Sequence, residues 1–285
     1  MFKKNNIEIF EEELLSLNER GIIPGPNESI VDFKKRVEAI ELNKTSVEEE
    51  KILSWSDFDW ARSTASQLFD IAPDWVVAYY SNKGLKFWQG AVTYTEYDGN
   101  LPAMVQIRKD LKNGKYLFLY DKDEILSHEI IHAARMAFNE PKTEELFAYW
   151  TSTSHFRKLF GPIFRSQLES TIFMGILCFG ISLQFFLPFF SSPLLFSLIQ
   201  FSNLFSLSML TFCLFRLYRT RLKLNRTLKK LTLILDSKQK ARSVLFRLTD
   251  KEIYFFAKAS VTEILKYIQN QKELRWQVID LAYFK

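Results

Sequence analysis

Cysteine and histidine are scarce in this chain, which has two cysteines and three histidines among 285 residues. Both cysteines, Cys178 and Cys213, lie in one long apolar stretch. This position argues against a disulfide framework and against a thiolate metal site, and it favours two small apolar side chains. Any metal site in this chain is therefore expected to use histidine and carboxylate ligands.

Charge is absent from Ser170 to Phe215, although 25% of the whole chain is charged. This stretch divides at Ser191-Ser192-Pro193 into residues 171–190 and 194–215. Each part is long enough to cross a hydrocarbon core of about 30 Å at about 1.5 Å per residue. We therefore predict a two-helix transmembrane hairpin over residues 170–216. The alternative is a buried hairpin in a soluble protein, but such helices seldom lack charge over this length.

Basic side chains flank the apolar stretch on both sides, and the turn between the two predicted spans carries no charge. By the positive-inside rule, both termini are expected in the cytoplasm. The segment Met1 to Leu15 lacks the apolar core of a signal peptide, which agrees with that orientation. We predict a multi-pass protein of the bacterial inner membrane, and a homo-oligomer formed through the hairpin is left open. The flanking residues are Arg157, Lys158 and Arg165 before the stretch and Arg216, Arg219, Arg221, Lys223, Arg226, Lys229 and Lys230 after it.

The net charge of +5 does not indicate a nucleic-acid partner, because the basic residues are concentrated beside the apolar stretch. A lipid bilayer accounts for that distribution better. The sequence also has no RNA-binding signature, no phosphate-binding glycine loop and no zinc-finger cysteine spacing. We therefore predict the bilayer as a partner and no nucleic acid.

Composition divides the chain into an N-terminal helical segment (1–46), a second segment with predicted strands (47–169), the hairpin (170–216) and a helical C-terminal region (217–285). The predicted fold class is α+β, with a small antiparallel or mixed sheet in the second segment. That segment is predicted to contain a helix from Val47 to Phe69 and three strands. The strands are Leu85 to Tyr97, Ala103 to Arg108 and Tyr116 to Tyr120. The C-terminal region has two predicted capping boxes, Thr249 with Glu252 and Ser260 with Glu263.

Two of the three histidines stand four positions apart in His128-Glu129-Ile130-Ile131-His132. Asp121 begins the predicted helix, with Glu124 as its partner in a capping box, and the helix extends to about Phe138. The i, i+4 spacing places both imidazoles on one face, where they can bind one zinc ion at about 2 Å. Glu129 lies to the side of that face and can act on a water molecule without binding the metal. The alternative is an accidental match on an amphipathic helix.

A third ligand is predicted at Glu144-Glu145, near the start of a helix from Thr143 to Thr151. If the two helices are antiparallel, His132 lies about 9 Å before the end of the first and Glu145 about 6 Å into the second. A glutamate side chain can span that difference. Spacing alone leaves the choice between Glu144 and Glu145 open.

The segment from Asp121 to Ser152 resembles the zincin metallopeptidases, and more narrowly the glutamate-zincins that include the membrane-bound HtpX and CAAX-processing peptidases. In that family the third ligand is a glutamate in the pattern E-x-x-A-D, and this chain reads Glu145-Leu146-Phe147-Ala148-Tyr149. The resemblance implies Zn2+ bound by His128, His132 and Glu145, with Glu144 as the alternative ligand. The H-E-x-x-H and E-E-x-x-A-Y segments also resemble uncharacterised bacterial membrane proteins, a likeness that implies no function.

The resemblance further implies hydrolysis of a polypeptide substrate, with Glu129 as the general base. Tyr149, which stands where the family has aspartate, is the first candidate to stabilise the oxyanion, and a role in aromatic packing is an equal alternative. Arg135 is the second candidate, and it is more readily interpreted as a partner of Glu144. In zincins a strand at the sheet edge pairs with the extended substrate, and residues 103–108 or 116–120 could take that role. His155 is interpreted as a polar surface residue.

The resemblance implies a zincin-like metallopeptidase domain over residues 47–169, and together with the apolar hairpin it predicts a membrane-anchored zinc metallopeptidase that acts at the cytoplasmic face. A second hypothesis is a non-catalytic membrane scaffold, whose C-terminal region binds a partner and whose metal site is structural or vestigial. A channel built from several hairpins is disfavoured, because the spans lack ionisable residues. Gln184, Gln200 and Asn203 are expected to tie the two spans to each other.

Overall fold

A computed structural model describes residues 2–43, 52–94, 103–117, 120–189 and 192–285. It confirms the predicted α+β class, with small sheets, two long apolar helices and a helical C-terminal region. The predicted boundary at residue 46, the start of the helix predicted from Val47 and the end of the strand predicted to Tyr97 lie outside the described residues. Within the described residues both predicted elements are too long, because the α-helix predicted to Phe69 begins only at Asp59 and the strand predicted from Leu85 begins only at Ala91. The described helices are α1 (Phe2–Glu19), α2 (Ile30–Asn43), α3 (Asp59–Phe69), α4 (Lys122–Ala134), α5 (Glu144–Tyr149), α6 (His155–Phe160), α7 (Gln167–Phe186), α8 (Pro193–Leu235), α9 (Lys238–Phe246), α10 (Asp250–Lys258), α11 (Val261–Gln269) and α12 (Leu274–Tyr283).

The larger sheet is mixed and has the strand order β1-β3-β2, where β1 is Val77–Tyr80, β2 is Ala91–Tyr94 and β3 is Met104–Ile107. Strand β3 pairs in parallel with β1 and antiparallel with β2. Residues 103–108, one of two segments suggested as a substrate-binding edge, form instead the alternative of a strand packed within the sheet, because this strand has a neighbour on both sides. It occupies the centre because Val105 and Ile107 are fully buried.

The run from Tyr116 to Tyr120 is not one strand, as predicted, but a short hairpin. Strand β4 (Lys115–Tyr116) pairs antiparallel with β5 (Tyr120–Asp121), so that Tyr116 lies opposite Tyr120. The chain turns at Leu117, whose φ of 50° lies in the left-handed region. An apolar run of this length fits a strand as well as a hairpin, so its composition did not distinguish them.

One hydrophobic core contains residues from both sides of the apolar hairpin in the chain. At its centre, the ring of Phe69 on α3 stacks on Phe246 of α9, with 4.3 Å between ring centroids. Phe147 of α5 lies edge-on to both rings, at 5.9 Å from Phe69 and 5.6 Å from Phe246. The helical C-terminal region thus packs directly against the helices that carry the predicted site.

The C-terminal helices begin as the sequence predicted. Thr249 and Glu252 form a capping box at α10, and Ser260 and Glu263 form another at α11. In each box the hydroxyl accepts from the glutamate backbone N–H, while the glutamate carboxylate accepts from the N–H of the cap residue. Local sequence is sufficient to set these helix starts.

Two helices, α7 and α8, are long and apolar enough to cross a membrane. Only 6% of the apolar window in α7 and 22% of that in α8 is buried within the chain. Large side chains such as Phe185 and Phe189 are 74% and 78% exposed. The rest of the described chain therefore does not bury these two helices, in contrast to the alternative of a hairpin buried within a soluble fold. Helix α8 also continues without a break through the basic segment, as predicted, over 43 residues.

The hairpin is held by small side chains rather than by the predicted amides. Ser202 of α8 donates a hydrogen bond to the carbonyl of Ile176 in α7, at 3.0 Å. Gln184, Gln200 and Asn203 are exposed. Small side chains hold the hairpin because the two helices approach each other closely here. A Cβ placed on Gly180 would lie 2.6 Å from Ser202 Oγ.

We expect the substitution Gly180→Val to separate α7 from α8 and to lower stability by about 1–3 kcal/mol, the usual cost of overpacking a close contact. Gly175→Val is the matched control, because a Cβ on Gly175 meets nothing within 4 Å. The measurement is the midpoint of thermal unfolding of both variants in detergent. Equal shifts in the two variants would mean that the Gly180 contact does not hold the hairpin.

Candidate metal centre

Helix α4 carries the paired histidines and is fixed at its start by side-chain bonds. Asp121 caps the helix by accepting from the N–H of Asp123. Glu124 does not complete the predicted capping box. Its carboxylate instead accepts from the N–H and hydroxyl of Thr153 and pairs with Arg157 of α6. These contacts join the start of α4 to the start of α6.

The other end of α4 lies closer to the histidines than predicted. The helix ends at Ala134 rather than near Phe138, and the chain reverses through Asn139, whose φ is 49°. Helix α5 begins at Glu144, not Thr143, and ends at Tyr149. The short connection brings the first turn of α5 beside the last turn of α4, as the antiparallel arrangement required.

His128, His132 and Glu145 form a group that could hold a metal ion. The Nε2 atoms of the two histidines lie 3.1 Å apart. Glu145 lies 3.6 Å from His128 Nε2 through one carboxylate oxygen and 3.7 Å from His132 Nε2 through the other. Ligands at about 2 Å from a tetrahedral zinc lie roughly 3.3 Å from one another. Two nitrogens and a carboxylate at these separations therefore fit a single zinc-sized ion.

Glu144 lies on the opposite side of the His132 ring from Glu145. Its Oε1 lies 3.2 Å from His132 Nδ1, while its Oε2 accepts from Arg135 Nε at 3.1 Å. A carboxylate that engages Nδ1 fixes the ring orientation and leaves Nε2 directed at the metal position. Glu145 therefore occupies the position expected of a metal ligand. Glu144 occupies the position expected of a residue that orients the His132 ring.

The charges around the two histidines affect them in opposite directions. Burial lowers the pKa of His128 well below its usual value, and the neighbouring His132 adds to this effect. Burial also lowers the pKa of His132, but the hydrogen bond with Glu144 and the charges of Glu145 and Glu144 outweigh it and raise that pKa. Burial raises the pKa of Glu145 to about 7, against the opposing effect of His132. The neighbouring carboxylates thus favour a proton on His132 and on Glu145, while the surroundings of His128 favour its neutral imidazole.

Glu129 is held away from the three donors, beside strand β2. The hydroxyl of Thr93 donates to its Oε2 at 2.5 Å. Strand and helix can approach this closely because Gly90 precedes β2, where a Cβ would lie 2.4 Å from Ile125 Cδ1 on α4. The sequence placed Glu129 to the side of the histidine face, but no pattern pointed to Thr93 as its partner.

Tyr149 packs against the metal group through its ring. The ring lies edge-on to His128, with 4.7 Å between centroids. Gly161 lies against its other side, since a Cβ there would be 2.2 Å from Tyr149 Cε1. Burial raises the pKa of the Tyr149 hydroxyl above its usual value, so the hydroxyl keeps its proton. A protonated phenol is a hydrogen-bond donor.

Arg135 is a structural residue behind the metal group. Its side chain is fully buried and pairs with Glu144, as the sequence interpretation favoured. It also donates to the backbone carbonyls of Phe246 and Leu248 in the C-terminal region. The guanidinium therefore connects the support of His132 to the chain that follows the hairpin.

The metal group opens into a cleft of about 1120 Å3. Strand β2 forms one wall, Tyr149 and Gly161 form another, and the first turn of α7 lies at its edge. The walls also include His128, Glu129, His132 and Glu145. His155 is exposed at the start of α6 and does not belong to the metal group, in line with its interpretation as a surface residue. The cleft therefore lies between strand β2 and the start of the apolar hairpin.

The roles of the two neighbouring glutamates can be separated by zinc affinity. We expect Glu145→Ala to remove a ligand and abolish stoichiometric zinc binding. Glu144→Ala removes only the support of His132 and should weaken binding by about 10–100-fold. The measurement is competition with a chromophoric chelator at fixed pH. The reverse order of effects would make Glu144 the ligand.

Donor atoms, a separate carboxylate and an open cleft define this candidate site by geometry and chemistry. No protein-family model, no curated protein and no solved structure matches the chain.

Proposed function

We propose that this chain is a membrane-anchored zinc metallopeptidase that hydrolyses peptide bonds at the cytoplasmic face of a bacterial inner membrane. The observation that carries the proposal is the position of Glu129 beside, but outside, the group formed by His128, His132 and Glu145. Catalytic zinc sites use three protein ligands and keep a further position for water or substrate, and they require a base next to it. The donor set and the separate carboxylate meet both requirements.

Zinc held by His128, His132 and Glu145 would polarise a peptide carbonyl and increase the acidity of water. Glu129 accepts a proton from the attacking water and delivers it to the departing amine nitrogen. The hydroxyl of the water joins the carbonyl carbon, the C–N bond breaks, and one carboxylic acid and one amine result. Thr93 holds the carboxylate of Glu129 on the β2 side of the cleft throughout.

The remaining polar groups of the cleft act on the substrate itself. Tyr149 donates a hydrogen bond to the oxygen that gains negative charge, a role supported by its position against His128. The edge that binds substrate is assigned to β2 instead of to residues 103–108 or 116–120. Strand β2 borders the cleft on one side and pairs with β3 on the other. An extended substrate would pair with β2 by backbone hydrogen bonds and so present its peptide bond to Glu129.

The membrane orientation belongs to the same proposal. Arg165 and Arg216 lie at the two ends of the hairpin that join the folded core, and Glu169 of α7 pairs with Arg216 of α8 at 2.6 Å. The turn between the spans carries no charge. The positive-inside rule then puts the core, both termini and the cleft on the cytoplasmic side.

The test is metal analysis and casein cleavage by the full chain purified in detergent. We expect one zinc per chain, cleavage that stops on treatment with 1,10-phenanthroline, and recovery when zinc is restored. Zinc without cleavage would favour the scaffold hypothesis, in which the metal is structural. Absence of bound zinc would overturn the peptidase proposal.

A further inference from the structure

A loop at the edge of the sheet displays aromatic side chains beside the first apolar helix. This aromatic loop, Asn82 to Gln89, leads directly into β2. Phe87 at its tip is 68% exposed, and its ring lies edge-on to Trp88 with 4.8 Å between centroids. Exposed apolar side chains that lie together, rather than singly, are typical of a surface that contacts a partner or a membrane.

Hydrogen bonds to its backbone fix the conformation of the aromatic loop. Arg108 donates to the carbonyls of Lys86 and Gln89, and the hydroxyl of Tyr116 donates to the carbonyl of Phe87 at 2.6 Å. The N–H of Gln89 closes the turn on the Lys86 carbonyl at 2.9 Å. The exposure of Phe87 is therefore a fixed feature of the folded chain.

One side chain of the aromatic loop fixes the position of the loop along helix α7. Lys86 Nζ donates to the hydroxyl of Thr171 at 2.7 Å. Thr171 is the first residue of the predicted first span, two residues beyond Glu169, whose pairing with Arg216 marks the polar border. Leu168, three residues before Thr171 on the same face of α7, is 69% exposed. The Lys86–Thr171 hydrogen bond thus places the aromatic loop beside the start of α7, where Leu168 is exposed as well.

We propose that the aromatic loop inserts into the headgroup region of the bilayer beside the start of α7, so that membrane lipid covers Phe87, Trp88 and Leu168. Aromatic rings concentrate at this depth, and lysine reaches from it toward the headgroups. Lys83 and Lys86 supply positive charge for anionic lipid. Insertion would hold β2, and with it the cleft, at the membrane surface.

This inference depends on the proposed membrane crossing of α7 and α8 but not on peptidase activity. The test uses the full chain in nanodiscs of phosphatidylethanolamine and phosphatidylglycerol, with Cys178→Ala and Cys213→Ala to remove the native thiols. A nitroxide label is attached in turn through Phe87→Cys, Phe185→Cys and Leu233→Cys. Collision rates with oxygen and with a water-soluble nickel complex then report lipid or water around each label.

Position 185 lies within the span and serves as the lipid reference. Leu233, 76% exposed on the same continuous helix α8, lies about 27 Å beyond Phe215 and serves as the water reference. We expect the oxygen-to-nickel ratio at position 87 to exceed that at position 233 several-fold and to approach that at position 185. A ratio at 87 equal to that at 233, with 185 in lipid, would overturn the loop insertion alone. Water around position 185 would overturn the membrane crossing and the insertion together.

Discussion

Glu129→Gln is expected to slow casein cleavage by about 10²–10⁴-fold while zinc binding stays stoichiometric. The glutamine amide keeps the size of the side chain and can still contact the Thr93 hydroxyl, but it cannot accept the proton of the attacking water. None of the three metal donors is altered, because Glu129 lies outside their group. The measurements are cleavage rate and zinc content of the same purified samples.

Glu38→Gln makes the same chemical change at an exposed position on α2 and should cleave like the parent. Loss of zinc together with loss of cleavage in Glu129→Gln would mean that this carboxylate binds the metal. Cleavage at the parental rate in both variants would remove Glu129 as the base, and with it the proposed peptidase mechanism.

Arg135→Met is expected to destabilise the folded core by about 3–5 kcal/mol, the usual effect of breaking a buried ion pair. The substitution leaves Glu144 without its guanidinium partner and the carbonyls of Phe246 and Leu248 without their donor. Zinc affinity should fall as well, because Glu144 would no longer be fixed against His132. The midpoint of thermal unfolding in detergent and a zinc titration measure the two effects.

Arg62→Met is the matched control, because it removes a guanidinium from a partly exposed pair with Asp59. Such surface pairs contribute about 0–1 kcal/mol, so the control should unfold close to the parent. A parental unfolding midpoint in Arg135→Met would show that the connection between α4 and the C-terminal region is not needed for the fold.

The metal group was predictable because most of its geometry is local. The i, i+4 spacing of His128 and His132 fixes their convergence wherever the segment is helical, and the structure has that helix. The short connection to α5 limited the third ligand to two neighbouring residues. Choosing between them required the rotation of α5 about its axis, which depends on how Phe147 packs in the core.

The sheet was less predictable because its pairings are not local. Strand β1 has four residues and pairs in parallel with β3 across a separation that includes β2. A strand this short gives little periodic signal, and strand order depends on burial of the whole segment. In this sheet, β2 and β3 lie within longer predicted strands, and β1 was not predicted.

The contacts of Arg135 could not be derived from the sequence for the same reason. Its acceptors at Phe246 and Leu248 lie beyond the hairpin in the chain, where local composition gives no indication of them. The C-terminal region had no readable role in the sequence. In the structure, two backbone carbonyls of this region accept hydrogen bonds from Arg135, which also pairs with Glu144.

Helix α8 has a mechanical consequence, because it is one unbroken rod of about 65 Å between Pro193 and Leu235. One end packs on α7, while Leu224, Thr227 and Leu231 at the other are buried in the folded core. If α7 and α8 cross a bilayer as proposed, a thinner bilayer would tilt the apolar end, since helices longer than the hydrocarbon thickness meet the mismatch by tilting. The unbroken helix would transmit that tilt to the folded core and so change the angle between the core and the membrane surface.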